Sequence, residues 1–165
     1  MIGSALLLGF VIAERLVELW LAQRNTVALM ARGASEHAAW QYLPIVLMHG
    51  AWLIGLCLLG WNRAMNPGWL AAFALLQVLR VWVMVTLGKR FTTRVITVPG
   101  EVLVTGGLYR FTRHPNYLIV IGEIAVLPLV FGLWEYALLF SILNGIALFF
   151  RIRAEDRALE PLRHG

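Results

Sequence analysis

A chain of 165 residues has room for one domain, and residues 1–165 are read as a single unit. Apolar residues make up 60% of it and charged residues 14%, against about 45–50% and roughly 25% in a soluble globular domain. That balance excludes an ordinary soluble fold and points to an integral membrane protein. The net charge of +5 fits loops facing anionic lipid better than nucleic acid. Cys57 is the single cysteine, which excludes an internal disulfide and a cysteine metal cluster.

Residues 3–22 read as a first span, long enough for a hydrocarbon core of about 30 Å. No basic segment precedes Arg15 and no small-residue cleavage site follows, so this is a retained helix rather than a signal peptide. Glu14 and Glu18 lie four apart and share a helix face. Arg15 pairs with Glu18 to hold the bundle, or these charges act directly in function; both readings stand. Residues 23–39 form a loop, in part a short interfacial helix. Residues 40–60 form the second span, with Trp40 and Tyr42 at its mouth. His49 inside it reads as a structural group, with no second His placed to complete a metal site. The short turn Asn62 to Pro67 makes spans two and three an antiparallel hairpin. The third span, about 68–88, carries Gln77 and Arg80 on one face. Lys89, Arg90 and Arg94 mark the membrane surface, and residues 91–100, rich in Thr and Val, lie extended across it.

The stretch from Glu101 to Tyr117 is polar between two strongly apolar ones. Gly106 and Gly107 break regular structure. Arg110, Arg113 and His114 supply charge and donors, and Tyr109 and Tyr117 supply flat, half-polar surfaces. Pro115 suits the first turn of the helix that follows. This is a binding loop entering a fourth span, residues 117–133, with Glu123 inside it and a kink expected at Pro128. A tight turn at Gly132 to Glu135 leads into a fifth span, Trp134 to about Phe150, and then a charged helix from Arg151 to Arg163. The expected fold is an all-α polytopic bundle of about five transmembrane helices. Eleven basic residues fall on the side of loop 23–39, loop 89–116 and the tail, against Arg63 alone on the other. The central loop and C-terminus are therefore expected in the cytoplasm, with the N-terminus outside. The hairpin of spans four and five brings His114 and Tyr117 near Arg151 and Glu155. Arg suits an anionic moiety and Glu an amine or ribose hydroxyl. GGLYR is too weak for a nucleotide fingerprint, since no βαβ unit surrounds it. There is no Ser or Cys elbow.

The run LVTGGLYRFTRHPNY, then a short hairpin, then RIRAEDRAL, resembles the isoprenylcysteine carboxyl methyltransferase family. ERLVELWLAQRN and RGASEH look like its bacterial branch. The resemblance implies an integral membrane enzyme using S-adenosyl-L-methionine, with residues 89–160 as the cofactor-binding and catalytic part. It implies cofactor contacts at Glu101, Val102, Leu103 and Val104, at Tyr109, at His114, Pro115, Asn116 and Tyr117, and at Glu155. It places Arg151 near the acceptor group. Asp156 stands where a second Glu is usual.

Methyl transfer from a sulfonium needs little proton chemistry when the acceptor is a carboxylate, so alignment and desolvation suffice. A hydroxyl acceptor needs a base. Glu123 is the intramembrane candidate for that catalytic role, and is equally a helix–helix hydrogen-bonding group. The expected partners are a lipophilic small-molecule acceptor, the carboxylate or hydroxyl of an isoprenoid, phenolic or polyketide lipid, and membrane lipid, with no nucleic acid and no metal. The expected home is a bacterial cytoplasmic membrane. An NADPH-dependent membrane lipid reductase shares an RHPNY-like run and is the alternative enzyme. A small scaffold or transporter subunit is the alternative without catalysis.

Overall fold

The computed structural model describes residues 2–100 and 102–163, without the side chains of 161–163. The fold is all-α with five helices: α1 (Ile2–Met30), α2 (Tyr42–Gly60), α3 (Pro67–Leu87), α4 (Pro115–Val130) and α5 (Trp134–Arg163). A two-stranded antiparallel ribbon is added, β1 (Ser35–His37) on β2 (Val95–Thr97), with Ser35 opposite Thr97 and His37 opposite Val95.

Three helical stretches are long and apolar enough to cross a membrane: Ala39–Gly60, Pro67–Arg90 and Trp134–Glu160. α1 is longer than any span requires, yet it carries Glu14, Arg15 and Glu18 within two turns. α4 is apolar but has 16 residues, about 24 Å at helical rise. Ile119, Glu123, Ile124, Leu127 and Val130 are all buried, and α4 packs between α3 and α5.

Two boundaries differ from expectation. α1 continues to Met30, through residues assigned to a loop, because no Gly or Pro falls between Gly9 and Gly33. Ala22, Thr26 and Leu29 recur at helical spacing and are buried. Asn25 Nδ2 donates to the carbonyls of Gly88 at 3.2 Å and Phe91 at 2.9 Å, which ties this end of α1 to the end of α3. The expected interfacial helix is instead β1, and the extended segment after Arg90 supplies its partner strand. α2 and α3 follow each other across a short turn, but they diverge. α3 lies on α4, while α2 lies on α1 and α5.

One end of the bundle is closed by a core from all five helices: Leu8 and Val11, Trp52 and Leu56, Phe73, Ile124 and Leu127, and Phe140. Phe131 and the turn after α4 seal it. Gly132 adopts φ +71° there, a conformation in which a Cβ is strained. The Leu133 N–H reaches the Pro128 carbonyl and the Gly132 N–H the Leu129 carbonyl, both at 3.0 Å. Such bonds satisfy the last carbonyls of a helix and turn the chain sharply. Pro128 sits in this last turn. The opposite end stays open, and the central loop and the end of α5 meet there.

Candidate functional site

The loop is seated on α3 at the glycine pair. Gly107 has φ +57°, and a Cβ there would lie 2.6 Å from the Thr86 hydroxyl oxygen. A side chain would lift the whole segment. One 3-10 turn, Gly107–Arg110, follows. Pro115 then opens α4 in its first turn, buried and outside the cavity lining. The His114 and Tyr117 rings stack at 5.5 Å, with 25° between their planes.

The tail helix returns to this pair as the sequence implied. The Tyr117 hydroxyl donates to the Glu155 carboxylate and accepts from Arg151 Nε at 3.4 Å. Arg151 Nη2 donates to the Thr93 carbonyl at 2.7 Å, and the side chain is buried. His114 places Nε2 3.2 Å from Asp156 Oδ1 and Nδ1 3.7 Å from Glu155 Oε1. Hydrogen bonding to Glu155 outweighs desolvation and, with Asp156, raises the His114 pKa above its ordinary 6.5. Burial, with the negative charge of Glu155, pushes the Tyr109 phenol up. Tyr109 therefore stays protonated at neutral pH.

These groups wall one cavity of about 600 Å³, within the usual range of ligand pockets, about 300–1,000 Å³. Val102, Leu103, Val104, Tyr109, His114, Asn116, Tyr117, Glu123, Arg151 and Glu155 all line it. Glu101, expected beside them, lies outside the described residues. The mouth carries Arg90, Arg94 and Arg113. Arg94 is held by both Glu36 oxygens, at 3.0 and 2.9 Å, and lies 4.2 Å from the Tyr42 ring centre. Deeper in, the walls turn apolar with Ile45, Val46, Leu53, Val120 and Ile124.

The cavity floor holds a polar network whose members the sequence indicated but whose meeting it did not. Glu123 accepts from Gln77 at 3.0 Å, from Arg80 Nε at 2.7 Å and Arg80 Nη2, and from Arg15 at 2.6 Å. Arg15 also donates to Glu18 at 2.5 Å, as one of the two readings expected. Arg80 extends to Asn116 at 3.5 Å, which links the floor to the loop. A carboxylate with three cationic or amide donors is a poor proton acceptor. His49, read as structural, lines the cavity. Thr93 contributes through its backbone, which leaves no signal in residue types.

Helices of membrane length that open at one end into a cavity, polar at the mouth and apolar within, define a membrane-helix protein with an enclosed pocket. The chain belongs to the isoprenylcysteine carboxyl methyltransferase (ICMT) family, whose family model matches residues 69–161. That family uses S-adenosylmethionine. The chain is also similar to "Uncharacterized protein YpbQ" of Bacillus subtilis (strain 168), 36% identical over 160 residues, covering 94% of this chain and 95% of the relative. No solved structure matches it.

Proposed function

We propose that this protein transfers a methyl group from S-adenosylmethionine to a lipophilic acceptor that enters the apolar part of the cavity. The observation that carries the reading is the convergence of His114, Tyr117, Arg151 and Glu155 on one cavity that continues into apolar walls. The donor set fits the cofactor. The Glu155 carboxylate suits an amine or ribose hydroxyls, and Val102 to Val104 suit a purine face. The Val102–Val104 stretch lines the same volume. When bound, the cofactor supplies an electrophilic methyl on a sulfonium.

This chain's own part is orientation and exclusion of water. Glu155 holds the cofactor, with its position fixed by the Tyr117 hydroxyl. Arg151, pinned between Tyr117 and the Thr93 carbonyl, faces the polar group of the acceptor. Glu123, saturated by Arg15, Arg80 and Gln77, fixes α1, α3 and α4 around the floor rather than moving a proton. Calorimetry with S-adenosylhomocysteine and with NADPH tests the reading on detergent-purified protein. Binding of the first and not the second is the expected result. NADPH binding alone makes this a reductase, and binding of neither leaves a scaffold.

A further inference from the structure

We propose that His49 is the general base for a hydroxyl acceptor, and that the deep, apolar part of the cavity takes a long-chain lipid bearing a weakly acidic hydroxyl such as a phenol. The inference rests on the methyltransferase reading above and narrows its acceptor. His49 lies seven residues into α2 from Tyr42, about 10 Å below the mouth at helical rise. Both residues line the cavity. His49 Nδ1 is 2.9 Å from the Ile45 carbonyl oxygen. A carbonyl only accepts, so Nδ1 carries the proton and Nε2 keeps a lone pair. No partner for Nε2 is present among the described residues.

The carboxylates and the other histidine on the cavity wall, among the described residues, are held by ion pairs or hydrogen bonds. Glu123 is held by Arg15, Arg80 and Gln77, and Glu18 by Arg15, with Arg80 3.4 Å away. Glu155 is held by Tyr117 and His114. Both His114 nitrogens face carboxylates. Arginine does not give up its proton in proteins. The charges acting on the His49 ring are Arg15 from α1, Arg80 from α3 and Glu123 from α4. Glu18 of α1, and Arg151 and Glu155 of α5, share the cavity. His49 is thus the one wall histidine among the described residues with a ring nitrogen that no carboxylate holds.

In the step, the acceptor O–H bond breaks and its proton passes to His49 Nε2. The oxygen electron pair forms the new C–O bond as the methyl–sulfur bond breaks, and that pair stays on sulfur. The sulfonium charge is lost as the imidazolium charge appears, and His49 then returns its proton to water.

The test compares the parent chain with His49→Gln and His49→Asn in detergent, using dodecylphenol, a dodecyl dinitrophenol already ionised at neutral pH, and dodecanoate. Both variants should bind S-adenosylhomocysteine as the parent does, which also shows that they fold. Dodecylphenol turnover should fall about 100-fold, in the range of general-base catalysis, while the ionised phenol is methylated nearly as by the parent. The parent rate on dodecylphenol should rise with pH through one ionisation. In the variants that limb should be replaced by a steady rise toward the ionisation of the phenol itself. Unchanged dodecylphenol turnover in the variants overturns the proposal. So do equal losses on both phenols, which mean a structural role, and methylation of dodecanoate alone or of no phenol by a parent that binds S-adenosylhomocysteine. A parent that does not bind S-adenosylhomocysteine sinks the methyltransferase reading itself, and this proposal with it.

Discussion

Arg151 and Glu155 stand one helical turn apart, and a bare sequence allows them to be an exposed ion pair worth about 0.3–0.5 kcal/mol. Their surroundings argue otherwise. Arg151 is 6% exposed and its donors reach Tyr117 and Thr93. Glu155→Ala is expected to weaken S-adenosylhomocysteine binding by about 1–3 kcal/mol, and Glu155→Gln to recover part of it by keeping an acceptor oxygen. Arg151→Ala should leave that affinity nearly intact and slow single-turnover methylation roughly 100-fold, about 2.7 kcal/mol of barrier. Equal turnover in all three would reduce this end of α5 to a structural element. His114 gives a pH signature. Its pKa is raised above 6.5 by Glu155 and Asp156, so the folded state binds the proton more tightly than the unfolded chain. The stabilisation is fully present below pH 6.5 and is lost as pH rises through the folded value. The melting-temperature gap between the parent and His114→Gln should therefore be widest in mild acid and shrink toward alkaline pH. A gap that grows with pH would mean His114 is held neutral.

At the scale of elements, α1, α3 and α4 are joined by charge as well as by apolar contact. Arg80 and Glu123 are 3% and 2% exposed, and removing one partner of a buried pair strands the other. Arg80→Ala or Glu123→Ala should each destabilise the protein by about 3–5 kcal/mol, while Arg80→Met with Glu123→Leu should cost much less than the sum. Strict additivity in chemical melts would show that the two do not interact. The spacings Glu14–Glu18 and Gln77–Arg80 made these faces visible in the sequence. The meeting of Arg15 with Glu123, 108 residues away, was not visible, because periodicity reports a face and never its partner. The β-ribbon was hidden for a different reason. Three residues per strand carry no alternation long enough to read, and β1 is held by pairing and by the His37–Thr97 contact at 2.7 Å. The tail and the HPNY run were legible because the tight turn at Gly132 forces α4 and α5 to return together.

Across the whole molecule, charge and shape lead to one proposed orientation. Large apolar side chains such as Leu47, Leu58, Val85, Leu138 and Ile146 are more than half exposed, a surface suited to lipid rather than water. The open end of the cavity carries Arg90, Arg94, Arg113 and Arg151. The closed end has Arg63, whose carbonyl accepts from the Ser4 hydroxyl at 2.5 Å. Basic residues near span ends tend to stay on the cytoplasmic side, so we propose that the mouth faces the cytoplasm, where a water-soluble cofactor is available, and the closed end faces outward. All five helices must cross for this to hold. On this proposal α1 would cross with Arg15 and Glu18 turned onto α4 and α3, and α4 would cross as a short helix between α3 and α5. A reporter active only outside the cytoplasm should be silent when fused after Gly165 and active when inserted in the turn at Asn62. A cysteine-reactive, membrane-impermeant label supplies the second reading. In intact cells it should modify a cysteine placed at Asn62 in a Cys57→Ala background, and not one placed at Arg110. Labelling at Arg110 with silence at Asn62 would invert the protein. Labelling at both would mean that α1 or α4 does not cross, and the cavity would then lack the lipid-facing wall that a lipophilic acceptor needs.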